Sequence, residues 1–212
     1  VPLLQQHHSS PFFWGIWKIT ESWEELLLQL AHRDVYLPVL NSYQSERRKA
    51  EWLAVRVLLK VLTGRELTIS YRESGAPFLA DIPLYISISH TKGYATVLLS
   101  PQQPVGIDIE YRSERIHRIK ARFLNETELE LSEKNLTTDD LLVCWSAKET
   151  AFKMLELQTA DFQTDIHIID FKPVEANGVI TVRESITPQL SVFQINYAVT
   201  PDFVVTYCNA SV

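Results

Sequence analysis

The sequence is short of glycine: 212 residues contain six, where average usage would give about fifteen. Neither G-x-x-x-x-G-K-[ST] nor G-x-G-x-x-G occurs, so the two common glycine-rich phosphate cradles are excluded. H-E-x-x-H is missing as well, which removes the usual helical zinc-hydrolase signature. Cysteine is limited to Cys144 and Cys208, too few for a disulfide framework or a four-cysteine zinc site, so a reduced cytoplasmic setting is expected. The long uncharged runs 93–107 and 185–201 are broken by Pro, Ser, Gln and Thr, and no membrane span is expected. No basic region followed by an apolar stretch and a small-residue cleavage site opens the chain, so secretion is not expected either. Nor is there an excess of basic charge. Twenty Lys+Arg against 26 Asp+Glu give −6, which argues against a nucleic-acid binder and means that an anionic partner needs a local basic patch.

What is present is enough to fold. Hydrophobic residues make up 46% and charged residues 22%, an ordinary balance for a chain with a real core. Residues 12–20 read as a first strand and 22–32 as a helix, with Ser22 and Glu25 at capping-box spacing. Residues 44–63 give the strongest helix signal, with Leu53, Val57, Leu58 and Val61 at helical spacing and Gly64 as a stop. Strands 84–90 and 94–100, joined by Thr-Lys-Gly, form a hairpin, and 104–110 is a further strand. Helices are expected over 114–124 and 139–157, and strands near 165–171, 178–183, 192–198 and 203–208. The order repeats: a long amphipathic helix bearing Trp52 or Trp145, then a hairpin turning at Gly93 or at Pro201-Asp202. The expected fold is α+β, a pseudo-twofold pair of similar halves, each a small antiparallel sheet packed with a long helix. Residues 1–104 and 105–212 form the two halves, with a ligand site at the seam near Val105–Glu110.

Five groups could carry chemistry. In Gly106-Ile107-Asp108-Ile109-Glu110 the strand period puts Asp108 and Glu110 on one face, about 7 Å apart, and Ile107 and Ile109 on the other. Such a pair suits a hard divalent cation, and equally the solvated acidic face of a half-buried strand. In Trp145-Ser146-Ala147-Lys148-Glu149-Thr150-Ala151-Phe152-Lys153, Trp145, Glu149 and Lys153 share one helix face. Cys144, Ala147, Ala151 and Leu155 can turn to the core, while Lys148 reads equally as a solvated charge. Ser89-His90 precedes a turn with Lys92, where an anion could bind, though a histidine there is also an ordinary structural hydrogen-bonder. Arg112, Arg115, Arg118, Lys120 and Arg122 place a quarter of the Lys+Arg in eleven residues, a patch for an acidic partner or a solvated helix face. Arg47, Arg48 and Arg56 could reach a phosphate bidentately, or simply be exposed helix formers.

In combination these pieces are specific. Gly106-Ile107-Asp108-Ile109-Glu110, followed 35 residues later by Trp145-Ser146-Ala147-Lys148-Glu149 and then Lys153, resembles the 4′-phosphopantetheinyl transferases. Gly75-Ala76-Pro77, Ile88-Ser89-His90 and Arg122-Phe123-Leu124 followed by Glu126 and Glu128 are similar to further elements of that family. The length resembles the larger, surfactin-synthetase-activating type, a monomeric pseudo-dimer. The resemblance implies transfer of the phosphopantetheine arm of coenzyme A to a serine of an apo acyl or peptidyl carrier protein, with release of adenosine 3′,5′-bisphosphate. It implies Mg²⁺ on Asp108, Glu110 and Glu149, with Glu149 taking the serine proton. Lys148 and Lys153 would stabilise charge on the pyrophosphate. Ser89, His90, Arg47, Arg48 and Arg56 would hold coenzyme A. Arg112, Arg115, Arg118 and Arg122, with Phe123 and Leu124, would meet the carrier; neither nucleic acid nor membrane is an expected partner.

Two departures stand out: Ala76 replaces the family's lysine, and the stretch before Arg47 offers only His32 and Arg33 as basic residues near the adenine end. The competing readings are a non-catalytic coenzyme A or nucleotide-binding protein and a Mg²⁺-dependent phosphodiesterase. The first would need the binding residues without Glu149 and Lys153 together.

Overall fold

The computed structural model describes residues 2–9, 12–130, 136–170 and 174–208. Along the chain run β1 (Leu3–Ser9), β2 (Phe12–Lys18), α1 (Trp23–Leu28), α2 (Arg33–Ser42), α3 (Glu46–Thr63), β3 (Ile69–Tyr71), β4 (Pro77–Leu79), β5 (Tyr85–Thr91) and β6 (Tyr94–Ser100). They continue with β7 (Gly106–Tyr111), α4 (Ile116–Ile119), a 3₁₀ turn (Lys120–Arg122), α5 (Glu126–Glu130), α6 (Thr138–Leu155), β8 (Ile166–Asp170), β9 (Asn177–Glu184), β10 (Val192–Val199) and β11 (Phe203–Cys208). The fold is α+β. One antiparallel sheet is ordered β1-β2-β6-β5, another β7-β11-β10-β9-β8, and β3 pairs with β4 in a small third.

Both long helices start and stop where local chemistry directs. Ser45 accepts the Arg48 amide at the start of α3, and Gly64 closes it with φ +70, a left-handed cap that costs glycine nothing. Thr137 and Asp140 form a reciprocal capping box at the start of α6. α3 packs on β2 and β6 through Leu53, Ala54, Val57 and Leu58, and α6 packs on β7, β10 and β11 through Leu141, Cys144, Ala147 and Ala151. Val61 departs from its expected place in the α3 stripe and is 45% exposed.

The edge strands β5 and β7 of the two larger sheets lie against each other, and the strand period explains how. Ile86 and Ile88 face the α3 core, so Ser87, Ser89 and Thr91 face the other way, toward β7. Their hydroxyls stitch the seam. The Ile107 amide donates to Ser87 Oγ at 3.0 Å, Ser89 Oγ donates to Asp108 Oδ1 at 2.8 Å, and the Tyr111 amide donates to Thr91 Oγ1 at 3.1 Å.

Several elements differ from expectation. Residues 114–124 form only α4 and a 3₁₀ turn, because the run of like charges gives little i,i+4 support. α1 ends at Leu28, short of residue 32. β1 and α2 were not expected: β1 is a polar Gln-Gln-His-His edge strand held by pairing with β2, and α2 carries Pro38 inside it. The strand expected over 165–171 ends at Asp170, and residue 171 lies outside the described residues.

Gly106 is where β7 and α6 come closest. A Cβ there would stand 2.5 Å from the Thr150 carbonyl oxygen and 3.0 Å from Met154 Cγ. The carbonyl cannot move without the helix, so Gly106→Ala is expected to cost about 1–3 kcal/mol, read as a lower urea midpoint.

Candidate active site

A pocket of about 500 Å³ opens at the seam between β5, β7 and the C-terminal half of α6. β7 contributes Asp108 and Glu110, α6 contributes Glu149 and Lys153, and β5 contributes Ser89 and His90. Ile107 and Ile109 point into the apolar layer behind β7, as the alternation requires. Gly75 and Ala76, between β3 and β4, and Pro77, the first residue of β4, also line the pocket. Tyr71, Tyr85 and Phe152 add aromatic surface that no motif signalled.

Asp108 is the hub. Its Oδ1 accepts from Ser89 Oγ and from Lys153 Nζ, each at 2.8 Å, and its Oδ2 accepts from Ser146 Oγ at 2.7 Å. Lys153 also donates to the Ile107 carbonyl at 3.0 Å. Glu110 accepts from Trp145 Nε1 at 2.6 Å. Burial, reinforced by the Asp108 charge, pushes the Glu149 carboxyl up to about 7, with Lys153 opposing. Glu110 is likewise pushed up to about 7, by burial first and then by Asp108 and Glu149, while the Trp145 hydrogen bond and Lys153 oppose. His90 is pushed down by burial, with the Glu51 charge opposing and Lys153, Arg48 and Arg47 assisting.

All three carboxylates supply hard oxygen donors to one pocket. Magnesium is bound through one or two carboxylates, with the remaining positions left to water and phosphate oxygens. Among the described residues no three His, Cys, Asp or Glu side chains converge as a metal cage. The arrangement fits an open site of the first kind, completed by a substrate, and not a closed all-protein one.

The expected residues do not all gather here. Lys148 is turned away from the pocket and fully buried: its Nζ donates to the carbonyls of Phe123 and Phe162 and to Glu128 Oε2, each at 2.7 Å. Three donors meet three acceptors, so this lysine holds α5 and two loops to α6 and has no donor left for a pyrophosphate. Phe123 and Leu124 are 0% and 2% exposed; they pack in the core and cannot offer apolar contact to a partner. Arg56 is buried too, with its guanidinium 3.1 Å over the Trp52 ring and donating to the Trp52 carbonyl at 2.9 Å, outside the pocket lining.

Arg47 and Arg48 stand at the exposed start of α3. Arg47 Nε is 3.6 Å from Glu51 Oε1, and Glu51 Oε2 is 3.6 Å from His90 Nδ1, so Glu51 links this end of α3 to the pocket. Glu51 escaped sequence reasoning because it reads as one more helix-surface charge. Arg112 forms a two-pronged pair with Asp139 at 2.8 and 2.9 Å. Arg115 just before α4, Arg118 on it, and Lys120 and Arg122 in the turn that follows lie exposed.

In this α+β chain an acidic strand and a carboxylate–lysine helix face line one recess, and the sequence of these elements matches a known family. Residues 104–208, from β7 through β11, match the 4′-phosphopantetheinyl transferase superfamily, and the chain belongs to that superfamily. It is 31% identical over 125 residues to the 4′-phosphopantetheinyl transferase gsp of Aneurinibacillus migulanus, covering 57% of this chain and 51% of that protein. With the 4′-phosphopantetheinyl transferase Sfp of Bacillus subtilis (strain 168) identity is 32% over 110 residues, covering 48% and 49%. With the 4′-phosphopantetheinyl transferase AcpT of Escherichia coli (strain K12) it is 39% over 64 residues, covering 30% and 33%. The chain spans about half the length, or less, of the curated relatives it matches.

Proposed function

We propose that this chain transfers the 4′-phosphopantetheine arm of coenzyme A to a serine hydroxyl of an apo acyl or peptidyl carrier protein. The observation that carries the reading is one pocket that brings together Glu149, Asp108, Glu110 and Lys153. The serine oxygen attacks the phosphorus that bears the pantetheine arm, and the bond to the bridging oxygen of the pyrophosphate breaks. Adenosine 3′,5′-bisphosphate leaves, and the serine proton passes to Glu149, directly or through a water. Lys153 supplies positive charge on the leaving-group side. Such chemistry depends mainly on positioning and charge neutralisation. Mg²⁺, held through one or two of the carboxylates Asp108, Glu110 and Glu149, would neutralise charge on the pyrophosphate oxygens.

Ser89 Oγ, its proton committed to Asp108, and the His90 ring hold the adenosine end, with Arg47 and Arg48 beyond Glu51 as the cations for its 3′-phosphate. The exposed Arg115, Arg118 and Arg122 meet an acidic carrier helix. On this reading residues 1–104 and 105–212 are two related halves of one monomeric, cytoplasmic enzyme. Among the described residues no helix is long and apolar enough to cross a membrane.

Intact-mass spectrometry tests the reading. An apo acyl, peptidyl and polyketide carrier are each incubated with the protein, coenzyme A and Mg²⁺, beside an EDTA control. The expected result is a gain of one phosphopantetheine on at least one carrier, lost with EDTA and when the carrier serine is replaced. Bisphosphate release without any carrier would instead mark a phosphodiesterase. No change on any carrier, with coenzyme A binding intact by calorimetry, would mark a non-catalytic binder.

A further inference from the structure

We infer that Thr206, on β11 behind the pocket, is a positioning residue for Asp108, acting through Ser146 in a one-way chain of buried hydroxyls; the inference rests on the transferase reading of that pocket. Thr206 lies directly opposite Asp108 in the β7–β11 register, so the two side chains share a face of the sheet, the one on which α6 packs. Ser146 Oγ is 2.7 Å from Asp108 Oδ2 and 2.8 Å from Thr206 Oγ1, and Thr206 Oγ1 is 2.6 Å from Thr150 Oγ1. Ser146, Thr150 and Thr206 are each 0% exposed and Asp108 is 4% exposed, so water does not compete for these bonds.

A proton inventory sets the direction. An ionised carboxylate only accepts, so Ser146 commits its single proton to Asp108 and its oxygen must accept from Thr206. Thr206 points its proton toward Ser146, where Oγ and the carbonyl oxygen, the latter at 2.9 Å, share it. Thr206 Oγ1 is then the acceptor for Thr150. The order Thr150 to Thr206 to Ser146 to Asp108 aligns every O–H dipole toward the carboxylate, and aligned donors reinforce one another. The consequence is geometric. Oδ2 is tied back toward the helix–sheet interior, and Oδ1 is left with Ser89 and Lys153 on the pocket side. Thr206 thereby decides which edge of Asp108 faces the pocket, although it is not part of the pocket lining.

Thr206→Val tests this cleanly. It keeps the shape of the side chain, and Thr150 can turn its hydroxyl to the carbonyl oxygen of residue 206, 3.3 Å away. Only the support of Ser146 is lost. Because partners that orient a metal-binding carboxylate typically matter 10–100-fold, the Mg²⁺ concentration for half-maximal carrier modification is expected to rise about tenfold. Thr206→Ser is expected to restore it. Ile166→Val, a core truncation on the far edge strand β8, controls for lost stability and is expected to leave the Mg²⁺ requirement unchanged. A crystal structure of Thr206→Val gives a readout independent of activity: Ser146 turned away and Asp108 Oδ2 no longer tied to it. A Mg²⁺ requirement that matches Ile166→Val, no rescue by Thr206→Ser, or an Asp108 that stays in place would each overturn the inference. If the wild-type protein transfers nothing, the transferase reading fails on its own, and the crystal structure still decides the positioning role.

Discussion

Replacing Glu149 by glutamine is expected to raise the melting temperature of the metal-free protein at pH 8 while removing nearly all turnover. The folded carboxyl titrates near 7, against an ordinary 4.5, because burial and the Asp108 charge disfavour its ionised form. Below pH 4.5 it is protonated whether the chain is folded or not, and it costs nothing. As pH rises from 4.5 to 7 the unfolded chain gives up the proton first, so the fold loses stability, and above 7 the full penalty stands. At about 1.4 kcal/mol per pKa unit the ceiling is about 3 kcal/mol. Coupling to Glu110 and local relaxation reduce this to about 1–2 kcal/mol, or about 3–6 °C for a chain of this size. Calorimetric melts in EDTA check it: glutamine should help at pH 8 and make no difference at pH 4. A lower melting point at pH 8 would show that Glu149 is not held at the expense of the fold. On the proposed mechanism, loss of the proton acceptor should reduce turnover by about 10²–10⁴-fold, a stability gain bought at the cost of function.

Two lysines five positions apart are expected to behave in opposite ways. Lys148→Met leaves Glu128 buried without its cation and the Phe123 and Phe162 carbonyls without a donor. Breaking a buried pair on one side costs about 3–5 kcal/mol, a large share of the stability of an ordinary domain and about 10 °C in melting temperature. Molecules that remain folded at low temperature should keep most of their turnover. Lys153→Met should do the reverse. Asp108 keeps Ser89 and Ser146 as donors but loses its cation, which is 24% exposed where Lys148 is 0% exposed, so the melting point should fall less than in Lys148→Met, whereas on the proposed mechanism losing the cation beside the leaving group should reduce turnover about 10²–10³-fold. Denaturant melts beside turnover per folded molecule separate the two. A Lys148→Met protein of wild-type stability but no activity would return that lysine to the pocket.

The two long helices and the hairpins were legible because each rests on local signals: period-2 alternation in 106–110, helical spacing in 44–63 and 139–157, and Ser22 and Gly64 at helix ends, whereas the Ser45 and Thr137 caps came from the structure. The shared face of Asp108 with Glu110, and of Glu149 with Lys153, follows from those same periods. β1 and α2 were not legible, because pairing with β2 and packing on the core overrode weak propensities.

The sequence by itself determined which acids and which helix face could form a site, since residues two apart on a strand and four apart on a helix must point the same way. The tertiary structure alone decided which cations join them. Lys148 sits one residue from Glu149, about 100° around the helix, and only the packing of α5 and the 162 loop against that side turns it from a solvated charge into a buried tie. In the same way, Thr206 is 60 residues from Ser146 in the chain. Strand register and helix packing bring them to hydrogen-bond distance, and no spacing in the sequence encodes that.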